Sequence, residues 1–258
     1  MVKFDQAAFE GTTPQCAGKV VYQRQVESTN DVAKKAVNAG LASSGSIYLA
    51  EFQSAGRGRG GNRWVCPEGE GLLFSLVVEP DVDVLFWNRM SLAVGLALVN
   101  TIKDFGLNVT MKWPNDIYLG DKKLGGILIE KVNDFLIVGV GLNVNVQSFP
   151  DEIAETATSI STRIGEVVDR EELLSKIVHR IYQCGSMIGE SFGSLIEQVM
   201  ESFYLSNQMV RMTVDGKEIL GEVLGLDENG YLMLKETGND GKLMKIHQAS
   251  EIKKLSLS

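Results

Sequence analysis

The sequence predicts an α+β protein, with a mixed, mainly antiparallel sheet flanked by helices and a small C-terminal β-barrel. Three observations lead to this fold class. Short alternating runs joined by tight turns predict hairpins within residues 109–146. Apolar periodicity predicts a long buried helix over 86–105 and a broken helical segment over 169–204. After residue 206 only short β runs return, at 209–214, 218–226, 231–236 and 242–247, which is typical of an SH3-like appendage.

The first half of the chain alternates strand and helix. Apolar and polar residues alternate over 19–26, which predicts a strand. A helix is predicted from Asp31 to Gly40, where the glycine ends it. Ser28, Thr29 and Asn30 precede that helix as N-cap candidates. Strands are predicted over 46–51 and 71–79, with a glycine- and arginine-rich loop between them.

The hairpins follow the buried helix. A strand over 109–113 leads into a turn at 114–116, and residues 117–119 pair with the run that starts at Leu124. Two further strands, 126–132 and 135–146, are predicted to pair across a short turn.

This pattern predicts three segments: an N-terminal extension (1–18), a main domain (19–206) and an SH3-like domain (207–258). Residues 1–18 could be an extension or an extra edge strand, and the sequence leaves both open.

Composition restricts the function classes. The chain has 258 residues, 44% hydrophobic residues and a net charge of −8, which argues against non-specific nucleic-acid binding. Its three cysteines are widely spaced, so neither a disulfide framework nor a zinc cluster is indicated. There is no secretory signal pattern, and no apolar run approaches the ~18 residues of a membrane span. We therefore expect a cytoplasmic protein without membrane contact.

The glycine–arginine loop, residues 56–64, is the first candidate functional segment. Glycines let the backbone approach a ligand closely, and arginine forks suit phosphate and carboxylate. Its Gly-x-Gly-x-x-Gly pattern matches the dinucleotide fingerprint, but a β run follows instead of a helix, so a Rossmann site is disfavoured. No Walker motif is present. The alternative is a solvated turn. Trp64 makes this less favourable, because leaving a large aromatic side chain beside an exposed turn is costly.

A second constellation is Lys112-Trp113-Pro114-Asn115-Asp116. A lysine held at a strand end beside a rigid turn can neutralise charge that develops on a phosphoryl or carboxyl oxygen. The alternative is a surface lysine next to a turn.

No nucleophile–base pair is indicated, because His179 lies in the helical region and His247 in the terminal β segment. Metal-ligand spacing is also absent. A site of cations, amides and backbone N–H groups suits positioning and charge stabilisation, and nucleotidyl transfer to a carboxylate fits it.

Four motifs together resemble the biotin protein ligase family (biotin–[acetyl-CoA-carboxylase] ligase, holocarboxylase synthetase). They occur in the family's order and at its spacing over roughly residues 20–255. They are Ser28-Thr29-Asn30, the run from Glu51 through Gln53 to Trp64, Lys112–Ile117, and Gly139-x-Gly141-Leu142-Asn143-Val144-Asn145.

The resemblance implies the class II synthetase-like fold shared by biotin and lipoate ligases, and two half-reactions. The biotin carboxylate attacks the α-phosphate of ATP, which carries Mg²⁺ on its phosphates, to give biotinyl-5′-AMP and pyrophosphate. A lysine of a biotin carboxyl carrier domain then takes the biotinyl group and releases AMP. The implied partner is that carrier domain.

By the same resemblance each motif residue has an expected role. Lys112 and Arg57 are the expected catalytic residues. Biotin is expected to contact Ser28, Thr29, Asn30, Gln53, Gly56, Arg57, Gly58, Arg59, Lys112 and Gly126. ATP or the adenylate is expected to contact Arg57, Arg59, Trp64, Asn115, Lys123 and Asn143. No protein-bound metal is expected.

Two departures from the family pattern matter. Many bacterial members have arginine where Gly60 and Asn62 stand here. No helix-turn-helix precedes the first strand, so DNA binding is not expected.

A homodimer through exposed strands remains open. The loop over 56–64 is expected to order over bound ligands.

Two rival functions remain. A lipoate–protein ligase shares the fold and chemistry, but its Arg-Arg-x-x-Gly-Gly-Gly motif is missing. A non-catalytic biotin- or nucleotide-binding regulator would bind without transfer, and the intact Lys112 argues against it.

Overall fold

The computed structural model describes residues 4–238 and 241–255. The strands of the first sheet are Val20–Val26 (β1), Ile47–Gln53 (β2), Gly71–Val78 (β3), Val109–Lys112 (β4), Asp116–Leu119 (β5), Lys122–Val132 (β6) and Phe135–Asn143 (β7). The strands of the second sheet are Met209–Val214 (β8), Lys217–Leu226 (β9), Leu232–Glu236 (β10), Leu243–Ile246 (β11) and Ser250–Lys254 (β12). The α-helices are Gln6–Thr12 (α1), Thr29–Asn38 (α2), Met90–Lys103 (α3), Ile160–Ile164 (α4), Arg170–Gly185 (α5) and Phe192–Met200 (α6).

The first sheet has the order β1-β2-β3-β7-β6-β5-β4. The pair β1–β2 is parallel, and all other neighbours are antiparallel. The predicted α+β class with a mainly antiparallel sheet is confirmed. No helix within the described ranges is long and apolar enough to cross a bilayer.

The second sheet is a five-stranded antiparallel meander whose last strand returns beside the first, in the order β11-β10-β9-β8-β12. The sequence predicted β8 to β11 but not β12. The reason is that β12 is short and polar, and its register shifts between Ser250 and Lys253, so it lacks a period-2 apolar signal.

The N-terminal segment is helical, so the edge-strand alternative is wrong. Asp5 caps α1, its side chain accepting from the backbone N–H of Ala8 at 3.0 Å. Phe9 is fully buried in the main core, and α1 packs against α5. Residues 1–3 and 256–258, which belong to the predicted terminal segments, lie outside the described residues.

Several element boundaries differ from the prediction, and the runs predicted from Leu124 and over 126–132 form one strand, β6. Helix α2 begins at Thr29, because Ser28 occupies the N-cap position, although its side chain makes no capping hydrogen bond. Residues 84–89 form a 3-10 helix, and α3 begins only at Met90. Strand β7 ends at Asn143. The predicted break in the C-terminal helical segment is confirmed, and it separates α5 from α6.

Candidate active site

Strand alternation assigns one face of the first sheet to the core and the other to a cavity. On β7, Leu136, Val138, Val140 and Leu142 pack in the main core, to which the buried residues of α3 also belong. The intervening positions after Ile137 are the small or polar residues 139, 141 and 143. The small residues on this face therefore leave a space above the sheet that large apolar side chains would otherwise fill.

A cavity of about 900 Å³ opens on this face. Most of the predicted site residues line it. They are Ser28, Thr29, Asn30, Gln53, Arg57, Gly58, Arg59, Trp64, Lys112, Asn115, Lys123 and Gly126. The fold thus brings together four motifs that are widely separated in the sequence.

The first turn of α2 forms one wall of the cavity through a buried polar network. Gln53 Oε1 accepts from the Thr29 backbone N–H at 2.8 Å, and the Thr29 hydroxyl lies 2.8 Å from the Ser75 hydroxyl. The Ser75 hydroxyl donates to Asn30 Oδ1 at 2.6 Å, and Asn30 Nδ2 donates to the Leu128 carbonyl at 3.2 Å. Because each partner is itself paired, these side chains are held rigidly at the cavity wall.

Arg57 is engaged by two carboxylates. Its guanidinium lies 2.6 Å from Asp31 Oδ1 and 3.0 Å from Glu130 Oε2. Burial by itself raises the pKa of Glu130, but hydrogen bonds from Lys34 and Asn30 and the charge of Arg57 lower it below its ordinary value. In this arrangement Arg57 fastens the loop to α2 and β6.

Arg59 has a different environment. Its guanidinium donates to Asn115 Oδ1 at 3.3 Å, and among the described residues no carboxylate lies within salt-bridge distance of it. Burial lowers its pKa and Asp116 opposes that change. Asn115 is fixed in turn, since its Nδ2 donates to the Ile127 carbonyl at 2.9 Å. Arg59 therefore offers the cavity a positioned positive charge.

Lys112 lies at the end of β4 beside a charge pair. Lys123 Nζ lies 2.8 Å from Asp116 Oδ1. Burial lowers the pKa of Lys112, the Asp116 carboxylate opposes this effect, and the Lys123 ammonium adds to it. Three lysines and three arginines line this cavity, against two carboxylates, Asp116 and Glu251. The cations are Lys112, Lys123, Lys253, Arg57, Arg59 and Arg63.

Trp64 lies flat on the glycine face of β6 and β7. A Cβ atom on Gly141 would overlap its indole ring, and one on Gly126 would lie 3.4 Å from its Cζ3 atom. Lys123 Nζ lies 5.8 Å from the indole ring centroid. Glycine is needed at 141 because any side chain there would displace the indole.

Two predicted contact residues do not line the cavity. Asn143 is buried and donates to the Thr158 carbonyl at 3.0 Å, while its Oδ1 atom has no hydrogen-bond partner in the described structure. Gly56 shapes the loop instead. Its carbonyl accepts from Trp64 N at 2.9 Å, and a Cβ on Gly56 would lie 2.6 Å from the Trp64 carbonyl oxygen.

Sequence reasoning missed several residues of the cavity and of the wall behind it. Ser75 and Glu130 do not line the cavity but contact Asn30 on its wall, and each interrupts an apolar strand, which is a readable signal. Tyr118 follows the Lys112 motif at strand spacing. Thr213, residues 248–249 and residues 251–253 also line the cavity, although nothing in the sequence points to them.

His247 is another residue whose surroundings only the fold reveals. It lines a neighbouring cavity of about 460 Å³ that shares residues 57–60 with the first. Its ring lies 4.0 Å from the Tyr231 ring, centroid to centroid.

Comparison with known proteins identifies the relatives of this fold. Residues 21–146 match the biotin/lipoate A/B protein ligase family, and residues 205–254 match the biotin protein ligase C-terminal domain. The bifunctional ligase/repressor BirA of Bacillus spizizenii is 33% identical over 232 residues, which cover 84% of this chain and 69% of the relative. The chain belongs to the biotin protein ligase family.

Other biotin protein ligases agree with this assignment. The biotin–[acetyl-CoA-carboxylase] ligase of Mycobacterium tuberculosis is 29% identical over 220 residues, 83% of this chain and 82% of the relative. The Aquifex aeolicus biotin protein ligase in complex with biotin and ATP superposes with a TM-score of 0.81 at 28% identity. That match covers 92% of this chain and all of the other.

Proposed function

We propose that this biotin protein ligase adenylates biotin with ATP in the 900 Å³ cavity and transfers the biotinyl group to a lysine of a carrier domain. The observation that carries the proposal is that Lys112, Arg59 and Asn115 converge on one cavity with the polar first turn of α2. Cations and amides without a nucleophile suit attack of one bound anion on another.

Biotin is proposed to occupy the α2 side of the cavity. Its ureido ring needs both donors and acceptors, which the Ser28, Thr29, Asn30 and Gln53 side chains can supply. Gly126 and Gly58 leave room for the ring and the tail. Gly56 acts through the loop, as the base on which the segment over the cavity folds.

The cations are proposed to meet at the reacting atoms. Lys112 lies between the biotin carboxylate and the α-phosphate, and Arg59 binds the phosphate of the adenylate. Because Arg57 is already paired, its proposed contribution is to hold the loop closed. Trp64, Lys123 and Asn115 complete the adenylate environment. Asn143 does not line the cavity, so its proposed contribution is to hold the end of β7 through its hydrogen bond to the Thr158 carbonyl.

ATP is proposed to bring Mg²⁺ on its phosphates. Asp116 lies beside the Lys112 ammonium and is paired with Lys123, so it balances charge in the cavity rather than being free to hold a metal.

The proposed organisation is an N-terminal segment (1–18), a catalytic domain (19–206) and an SH3-like domain (207–258). The start of β8 at Met209 supports the second boundary. The proposed partner is the biotin carboxyl carrier domain of a biotin-dependent carboxylase, in the cytoplasm. Homodimerisation and the expected lack of DNA binding remain proposals.

Transfer of labelled biotin to a purified carrier domain tests this function. We expect ATP-dependent labelling of the carrier with biotin and none with labelled lipoate. Labelling with lipoate alone would identify a lipoate ligase, and binding without transfer would identify a regulator.

A further inference from the structure

The Lys112 ammonium lies beside two tyrosine side chains that contact each other. Its Nζ atom lies 3.4 Å from the Tyr118 hydroxyl oxygen and 5.0 Å from the centroid of that ring. The centroid of the Tyr204 ring lies 6.0 Å from the same atom. The two rings lie 4.8 Å apart with an interplanar angle of 34°, so they form one aromatic surface beside the lysine.

Tyr204 reaches this position through a short segment that extends the sheet. Met111, next to Lys112 on the edge strand β4, donates its N–H to the Ser202 carbonyl at 2.8 Å and accepts from Tyr204 N at 2.9 Å. The Tyr204 hydroxyl donates to Asp121 Oδ1 at 2.8 Å. Backbone and side chain therefore both fix the Tyr204 ring against β4.

We propose that Tyr118 and Tyr204 are positioning residues for Lys112, holding its ammonium in the charged form and pointing it at the reacting anions. This inference rests on the function proposed above, in which Lys112 bridges the two reactants. Neither tyrosine belongs to the motifs that identify the family.

The energetic reason is the cost of burying an ammonium on a flexible stem. The lysine chain has four rotatable carbons, and restricting them before the reaction lowers the entropy to be lost in the transition state. The faces of the aromatic rings are electron-rich and attract the cation. Burial raises the pKa of Tyr118 to about 12, so the phenol stays neutral and its oxygen accepts from the ammonium.

Several charged or titratable groups besides the tyrosines face Lys112 or line its cavity. They are Asp116 on β5, Lys123 on β6, Arg57, Arg59 and Arg63 in the loop, and Glu251 and Lys253 on β12. Removing an aromatic ring leaves these groups in place. A shift in the pH profile of the reaction after removal of a ring therefore reports the effect of that ring on the protonation of Lys112, and not the effect of the other charged groups.

Biotin-dependent exchange of labelled pyrophosphate into ATP tests the proposal. Tyr118→Leu should lower kcat about three- to thirtyfold while the KM for biotin changes less than about twofold. Its alkaline limb should move to lower pH, because the ammonium loses a stabilising partner. Tyr118→Phe keeps the ring and should recover most of the rate. Tyr204→Leu should act in the same direction, which covers the case in which Tyr118→Leu does not fold.

Controls separate this inference from the function on which it rests. Tyr182→Phe on α5, outside the cavity, should match the unsubstituted enzyme. If Lys112→Ala abolishes exchange but both leucine variants keep wild-type kcat and pH profile, the positioning role is wrong and the function stands. If Lys112→Ala itself exchanges normally, the role of Lys112 fails and this inference fails with it.

Discussion

We propose separate tasks for two arginines of the loop, because their partners differ. Arg57 is paired with carboxylates from α2 and β6, whereas Arg59 faces the cavity with an amide partner. A guanidinium without a protein anion is the one that can bind a phosphate at full strength. The distinction assigns intermediate retention to Arg59 and loop closure to Arg57.

Arg59→Ala should therefore release biotinyl-adenylate about ten- to a hundredfold faster, because one charged hydrogen-bond donor is lost. Arg57→Ala should affect release less. The rate of appearance of free adenylate, measured without acceptor by chromatography, distinguishes the two. Equal retention by Arg59→Ala and the unsubstituted enzyme would show that Arg59 does not touch the intermediate.

Gly141 packs so closely against the Trp64 indole that a larger residue should displace the ring. Gly141→Ala would place a methyl group inside the Trp64 indole, so the indole must move away from the cavity wall. We expect weaker ATP-dependent exchange and a shifted tryptophan emission maximum. Gly193→Ala is the matched control, since a Cβ there meets nothing within 4 Å and α6 is helical. Unshifted emission in Gly141→Ala would contradict the packing described.

The sequence predicts the charged residues of the site well and the hydrogen-bond networks between its side chains poorly. Arg57, Arg59 and Lys112 stand out because charged residues beside glycine or a strand end are unusual. The contacts of Asn30 with Ser75 and Glu130 depend on strand register, and register is decided by pairing across the whole sheet. No local pattern in the chain contains that information.

The loop over 56–64 is the element that we propose closes the site. It is folded by a hydrogen bond from Gly58 N to the Asn62 carbonyl at 2.7 Å and is tied down by Arg57. Replacing Glu130 with glutamine removes one of the charges that hold it. Its unliganded form should then open more often.

Glu130→Gln should accelerate trypsin cleavage within 56–64 about two- to fivefold without ligand. Biotin plus ATP should protect both the variant and the unsubstituted enzyme. Glu172→Gln, which removes an exposed pair with Lys176 on α5, is the matched control. Unchanged cleavage in Glu130→Gln would show that the ion pairs do not hold the loop.

Element prediction succeeded where periodicity is strong and failed where tertiary contacts decide. The hairpins β4–β5–β6–β7 were predicted because their turns and apolar runs are local signals. Helix α1 was not, since its seven residues are helical only with Phe9 buried against the core. Helix α4, with five residues, has the same explanation.

A buried ion pair joins the N-terminus, the sheet and the helices into one molecule. Arg170 NH1 on α5 lies 2.6 Å from Glu51 Oε2 on β2, and both side chains are less than a tenth exposed. Glu51 also accepts from Phe4 N at 3.0 Å and from the Tyr22 hydroxyl at 2.9 Å. Burial alone would raise the Glu51 pKa, but Arg170 and the Phe4 N–H lower it below its ordinary value.

Glu51→Gln should lower the free energy of unfolding by about 3–5 kcal/mol, because it leaves a buried guanidinium without its counter-charge. A carboxyl with a lowered pKa stabilises the fold above its ordinary value of 4.5, and this contribution is lost as the pH falls through the folded-state pKa. Urea titrations between pH 7 and pH 3 should therefore converge for the two proteins. A constant difference across that range would contradict the pairing.

We propose that Lys112, in a cavity assembled from four motifs, stabilises charge during biotin adenylation. Biotin-dependent pyrophosphate exchange measures that half-reaction without an acceptor. We predict robust exchange for the unsubstituted enzyme and loss of at least about a hundredfold for Lys112→Ala, with an unchanged melting temperature. Full exchange in a folded Lys112→Ala variant would contradict the claim.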